Sequence, residues 1–147
     1  MRFVLLSALL ATAASAAEPT WHLSLQLYSL HEHTSAIELT NNTPGIGVMR
    51  VTDDNWLAGA GIFRNSLART AGYAYLGKQL PLGKVQAGAI VGLTHRYNYN
   101  DGGLVPLGGL LVTVPLADRW ALDMIGIPRI GNLTYTTLHF ALRWQFR

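Results

Sequence analysis

Few side chains in this sequence could do chemistry, and cysteine is not among them. The candidates are five histidines, with His31 and His33 two residues apart, the pair Asn65-Ser66, and the arginines Arg64, Arg69, Arg96 and Arg129. In an extended segment His31 and His33 share one face. Two imidazoles so placed could bind a metal ion, but no third ligand lies nearby, and neither a metal nor any other cofactor is expected. Ser66 after Asn65 also reads as a turn, since both side chains hydrogen-bond local backbone. His95 and His139 read as a rim residue and a satisfied interior residue. What these groups can do depends on the elements that bring them together.

Half of the 147 residues are hydrophobic and 13% are charged. About a quarter is the usual charged share of a soluble domain, so this chain has too few charges to coat one. Its apolar composition argues against disorder, and its lack of cysteine against a disulfide-stapled scaffold. A formal net charge of +3 is too weak to suggest a nucleic-acid partner. After residue 17 no apolar run approaches the roughly 20 residues of a spanning helix. Hydrophobicity hidden in alternation is instead the mark of a transmembrane β-barrel.

Arg2, the apolar run from Phe3 to Leu10 and the sequence Ala14-Ser15-Ala16 form a secretory signal in the expected order. Residues 1–17 are expected to be this signal and residues 18–147 one barrel domain, exported to a Gram-negative outer membrane. Near the end, Leu138, Phe140, Leu142, Trp144 and Phe146 alternate with His139, Ala141, Arg143, Gln145 and Arg147. Period two puts the two sets on opposite faces, a lipid-facing band over a polar lumen. Such an ending also looks like the signal read by the barrel-assembly machinery. Trp21, Leu23, Leu25 and Leu27 alternate in the same way through residue 28. Further strands are expected over residues 45–51, 56–65, 70–80, 84–94, 104–114 and 120–127, separated by turn residues. The fold class is therefore all-β: an eight-stranded antiparallel transmembrane β-barrel, a monomer whose partners are membrane lipids. A soluble barrel of lipocalin type is the runner-up, but its exterior would have to carry the Leu/Phe/Trp stripe into water.

With both ends on the periplasmic side, the short turns near residues 52–55, 81–84 and 115–119 face inward and the longer connections face out. His31, His33, Asn65, Ser66 and His95 then gather at one rim, with Arg64, Arg69, Arg96 and Arg129 at the same height. Guanidinium groups there suit lipid phosphates, which they grip bidentately. Parity puts a polar set in the lower lumen, with Asp123 and Arg143 as an ion pair. Nearer the rim the inward set includes Gly59, Gly61, Phe63, Gly72, Ala74, Ile90, Gly92, Ile125 and Ile127. Tyr73 and Tyr75 are expected to face lipid. A barrel of this size holds side chains or one small ligand. Glycine at so many inward positions favours an apolar cavity over a lumen filled by interdigitation.

From Asn42 onward the chain resembles the lipid A palmitoyltransferases, eight-stranded outer-membrane barrels that move a palmitoyl chain from a phospholipid to lipid A. The similar stretches are Asn42-Thr43-Pro44-Gly45-Ile46-Gly47, Phe63-Arg64-Asn65-Ser66 and Gly72-Tyr73-Ala74-Tyr75. Val105-Pro106-Leu107, Val114-Pro115-Leu116, Ile127-Pro128 and the ending Leu142-Arg143-Trp144-Gln145-Phe146 follow in order. The family's active residues are a histidine after the first strand and an Asp-Ser pair after the third. The resemblance implies that Ser66 is the serine and that His31 or His33 is the histidine, with Asn65 where the family has aspartate.

A serine hydroxyl needs a base within hydrogen-bond reach to attack, or to relay a proton, during acyl transfer. Asn65 keeps a polar side chain there but not the charge. The resemblance also makes Ala74 the floor of an acyl pocket shared with Gly72, Phe63, Ile90 and Ile125. The function implied is a phospholipid-to-lipid A acyltransferase. A non-enzymatic surface barrel and a lipid A deacylase are the alternatives.

Overall fold

The computed structural model describes residues 18–32, 38–96, 102–129, 131 and 135–147. The expected signal segment and His33 lie outside these. Eight antiparallel strands form a closed barrel in chain order: β1 Thr20–His31, β2 Asn42–Val51, β3 Trp56–Arg64, β4 Thr70–Leu82, β5 Val85–Thr94, β6 Val105–Ala117, β7 Trp120–Ile127 and β8 Thr137–Gln145. β1 pairs with β8, from His22 opposite Gln145 to His31 opposite Thr137, and closes the sheet. Closure leaves no unpaired edge, which lets strands cross a hydrocarbon layer.

Alternation sorts the side chains. Leu30, Ile46, Val48, Ile62, Leu76, Val91, Leu110 and Leu138 stand exposed on the outside, which in water would be an aggregation hazard and in a bilayer is the lipid-facing belt. Trp21, Trp56, Trp120 and Trp144 all lie toward the end with short turns. There Trp120 stacks on Trp144 with ring centroids 6.0 Å apart, and the Lys78 ammonium lies 4.9 Å above the Trp56 ring. Such a girdle marks a membrane interface. Inside, Met49, Leu57, Ile90 and Leu111 form the apolar core, with Val51, Tyr75 and Ile125 packed against it.

Two local features decide which residues face the lumen. In β1 a bulge falls between Gln26 and Tyr28. Its extra residue breaks the period of two: Leu27 and Tyr28 are both exposed, at 44% and 43%. His22, Ser24 and Gln26 face in below the bulge, and Ser29 faces in above it. Without it, Tyr28 and Leu30 would occupy the lumen and His31 would face lipid.

The second feature corrects the expectation for β4. Phe63 faces the lumen and pairs with Ala71, so cross-strand neighbours on the same face make Ala71, Tyr73 and Tyr75 inward. Ala74 is exposed on the outer face, and Gly72 shares its parity. Neither lines the interior, and the two tyrosines do not face lipid. The inward glycines explain where the rings go. A Cβ on Gly47 or Gly61 would run into the Tyr73 hydroxyl, and one on Gly59 into the Tyr75 ring. These glycines make room for tyrosine rings rather than for empty space.

Candidate functional site

Toward the short turns a polar layer shares the lumen with the core. Arg143 donates to both carboxylate oxygens of Asp123, Nε to Oδ2 at 2.9 Å and Nη2 to Oδ1 at 2.8 Å. The Thr113 hydroxyl donates to Asp123 Oδ1 at 2.6 Å and accepts from Gln79 Nε2 at 2.7 Å. The ion pair is buried and bidentate, the geometry that best offsets desolvation.

Higher up, a second network climbs the β1–β8 wall. Gln26 Nε2 donates to the hydroxyls of Ser24 and Tyr73, at 3.0 and 2.8 Å. Its Oε1 therefore meets His139 Nε2, which donates at 2.6 Å, and His139 Nδ1 accepts from the Ser29 hydroxyl at 2.7 Å. Thr43 completes the chain, its hydroxyl 3.0 Å from that of Ser29. Every ring nitrogen of His139 is engaged, as a satisfied interior histidine requires.

Above this layer is a cavity of about 140 Å³. That is room for on the order of ten waters, so side chains do not fill this end of the lumen. Its wall is mostly apolar: Phe63, Ile90, Val105, Leu107, Ile125 and Ile127 contribute, Tyr73, Tyr75 and Leu111 line it with them, and Gln26, Asp123 and His139 border it from the polar networks. It extends to the rim, where Leu39, Leu67, Ser66 and His31 line it.

At that rim the chemistry-bearing residues meet. Ser66 Oγ lies 2.6 Å from His31 Nε2, and His31 Nδ1 lies 3.1 Å from Asn41 Oδ1. Three connections bring them together. The bulge turns the end of β1 inward, the β3–β4 turn presents Ser66, and the segment before β2 carries Asn41. Backbone bonds fasten them: Thr40 N–H donates to the Ser66 carbonyl at 2.9 Å, and Ser29 N–H to the Asn41 carbonyl at 2.8 Å. On the far side of His31, Glu32 N–H donates to the Thr136 carbonyl at 2.9 Å. Of the two candidate histidines, His31 lies at Ser66, and His33 lies outside the described residues.

Asn65 does something else. It is fully buried, and its Oδ1 accepts from the N–H groups of Leu67 and Arg69 at 3.1 and 3.0 Å. Its Nδ2 donates to the Arg96 carbonyl at 3.0 Å, tying the turn to the β5–β6 connection. Ala68 and Arg96 hold left-handed backbone, with φ of 59° and 66°. Asn65 is thus an Asx-turn residue that shapes the Ser66 loop, and its hydrogen bonds run to backbone rather than to His31.

An aspartate could not replace that amide donor. Asn65→Asp is therefore expected to destabilise the barrel by about 1–3 kcal/mol, the cost of a lost buried hydrogen bond, without gain of activity. Thermal unfolding of the purified variant checks this; an Asn65→Asp protein that is as stable and more active would contradict it.

The remaining candidates sit as follows. Arg64, Arg69, Arg96 and Arg129 are exposed at the rim and line no part of the cavity. His95 Nε2 accepts the Gly72 N–H at 3.0 Å and so serves the backbone. Among the described residues no cluster of three or more His, Cys, Asp or Glu could hold a metal ion. Sequence reasoning missed Asn41, which follows His31 by ten positions and had no visible tie to it.

No family model matches the chain, and no curated protein does. Several solved structures share its architecture, among them the following two. The solution NMR structure of the de novo designed TMB2.3 is 16% identical, covers 87% of this chain and 96% of its own, and superposes with a TM-score of 0.61. The Yersinia pestis outer membrane protein Ail, determined in a phospholipid bilayer nanodisc, is 9% identical over 88% of this chain and all of its own, with a TM-score of 0.52. The fold is an eight-stranded barrel of outer-membrane type. At these identities the likeness concerns the fold alone.

Proposed function

We propose that the barrel is an outer-membrane acyltransferase that moves an acyl chain from a phospholipid to lipid A or another lipid acceptor in the outer leaflet. The observation that supports this reading most is the Ser66–His31 hydrogen bond of 2.6 Å at the mouth of an apolar cavity. A hydroxyl with a base in reach can attack an ester, and the apolar cavity below it can take part of the acyl chain of that ester. In this reading His31 Nε2 takes the Ser66 proton as Oγ attacks the ester carbonyl. The lysophospholipid leaves with that proton, and the acceptor hydroxyl then takes the acyl group from Ser66 by the reverse route. Arg64, Arg69, Arg96 and Arg129 offer phosphate contacts around the mouth. The sequence resemblance to lipid A palmitoyltransferases, which matches Ser66 to the serine and His31 or His33 to the histidine, supports the same conclusion.

Purified protein in mixed micelles of phospholipid and lipid A tests it. Gain of one acyl chain by lipid A, with matching lysophospholipid, is expected. Free fatty acid without acylated lipid A would favour a hydrolase using the same pair, and no change in either lipid would favour a surface barrel without chemistry.

The correction on β4 also moves the determinant of chain length. Tyr75 packs into the core under the cavity, its hydroxyl 3.2 Å from Met49 Sδ, whereas Ala74 faces outward. Tyr75→Ala should deepen the cavity and lengthen the preferred chain by several carbons, since a packed floor has little slack. Ala74→Met should leave the product chain distribution unchanged. Mass spectrometry of the product reads both, and a shift in the Ala74 variant but not the Tyr75 variant would reverse the assignment.

A further inference from the structure

We propose that Asn41 is the positioning residue that sets the tautomer of His31, so that Nδ1 carries the proton and Nε2 presents its lone pair to Ser66. The geometry leads there atom by atom. The side-chain atom of Asn41 that meets His31 Nδ1, at 3.1 Å, is the carbonyl Oδ1. An amide oxygen only accepts, so Nδ1 must donate. In the neutral ring the other nitrogen then has no hydrogen, and the contact of 2.6 Å between Nε2 and Ser66 Oγ is one in which the hydroxyl donates. That is the one arrangement in which His31 can receive the serine proton.

Asn41 is placed for this by its backbone rather than by chance of a surface rotamer. Its carbonyl accepts from Ser29 on β1, and the preceding residue donates from its N–H to the Ser66 carbonyl. Residues 40 and 41 therefore tie Ser66 and the strand that carries His31 to one short segment. The side chain of Asn41 lines no part of the cavity, so it acts through His31 and not on a lipid. His139 shows the opposite tautomer: its Nε2 donates to Gln26 and its Nδ1 accepts from Ser29. In each ring the neighbouring amide oxygen decides which nitrogen is protonated.

The effect on turnover rests on the acyltransferase reading above; the effect on the tautomer does not. The test is nitrogen-15 NMR of the micelle-embedded full-length protein with labelled histidine, at a pH where the ring is neutral. His31 is assigned by the signals missing from a His31→Gln spectrum. The wild type should show Nδ1 protonated and Nε2 bare. Asn41→Ala keeps every backbone bond of the segment and should move the proton to Nε2, while Asn41→Asp, which retains the acceptor, should restore Nδ1. In acyl transfer, Asn41→Ala should lower kcat by about 100-fold with KM unchanged, part of the roughly 10⁴-fold lost when a serine hydrolase imidazole is held in the wrong tautomer. The aspartate variant should recover most of it. A wild-type His31 protonated on Nε2, or a tautomer identical in wild type and Asn41→Ala, overturns the proposal. A wild-type protein inactive on lipids but with the expected tautomer change removes the acyltransferase reading and leaves Asn41 in its role.

Discussion

Ser66→Ala is expected to lower acyl transfer by about 10³-fold or more while leaving a folded barrel that still shifts its gel mobility on heating. The hydroxyl is the group bonded to His31 at 2.6 Å, and groups that act as a unit lose nearly everything when one is removed. His31→Gln should be as damaging, because an amide can hold the serine but cannot accept its proton. For the same reason the double variant should be little worse than either single one. Neither change falls in a strand interior, since Ser66 lies in a turn and His31 is the last residue of β1. Near-wild-type transfer by Ser66→Ala would remove the serine from the chemistry. Strictly additive losses would show that the two residues do not act together.

The largest effect on stability belongs to the polar layer at the other end of the lumen. Asp123→Ala leaves the buried Arg143 side chain, 5% exposed, without its bidentate partner. Breaking a buried pair from one side costs about 3–5 kcal/mol. Removing both charges is different in kind: Asp123→Leu with Arg143→Met should be close to neutral, since apolar residues of similar volume carry no desolvation penalty. Urea unfolding in lipid vesicles, followed through tryptophan fluorescence, reads both. A double variant as unstable as the single one would mean that the hydrogen bonds from Thr113 and Gln79 matter more than the charge pair.

Much of this architecture was legible in the sequence, and the misses have physical causes. Alternation of apolar and polar residues gave the eight strands, because a lipid-facing belt and a packed lumen impose a period of two along the whole chain. The Asp123–Arg143 pair was legible for the same reason, being opposite charges at inward positions near one end. The lumen residues of β4 were not. Parity there depends on how many residues the turn after Phe63 consumes, and Asn65 settles that through bonds to Leu67, Arg69 and Arg96 that no periodicity records. The inward glycines pointed to missing volume, correctly, but the volume belongs to Tyr73 and Tyr75 from the next strand.

The end of β1 was hidden in another way. A bulge at Leu27 is a backbone event without a glycine to announce it, yet it turns Ser29 and His31 inward together. Asn41 joins the rim through a loop closure, and sequence distance carries no trace of it.

Mass spectrometry of lipid A is the most direct test of the acyl-transfer reading. Lipid A would be extracted from cells making the wild-type protein, the Ser66→Ala variant or neither. With wild type, a lipid A species heavier by one acyl chain should accumulate, and it should be missing from the other two strains although the variant barrel reaches the outer membrane in equal amount. Lipid A of unchanged mass in all three, with wild-type barrel folded in the membrane, would contradict acyl transfer to lipid A by this site.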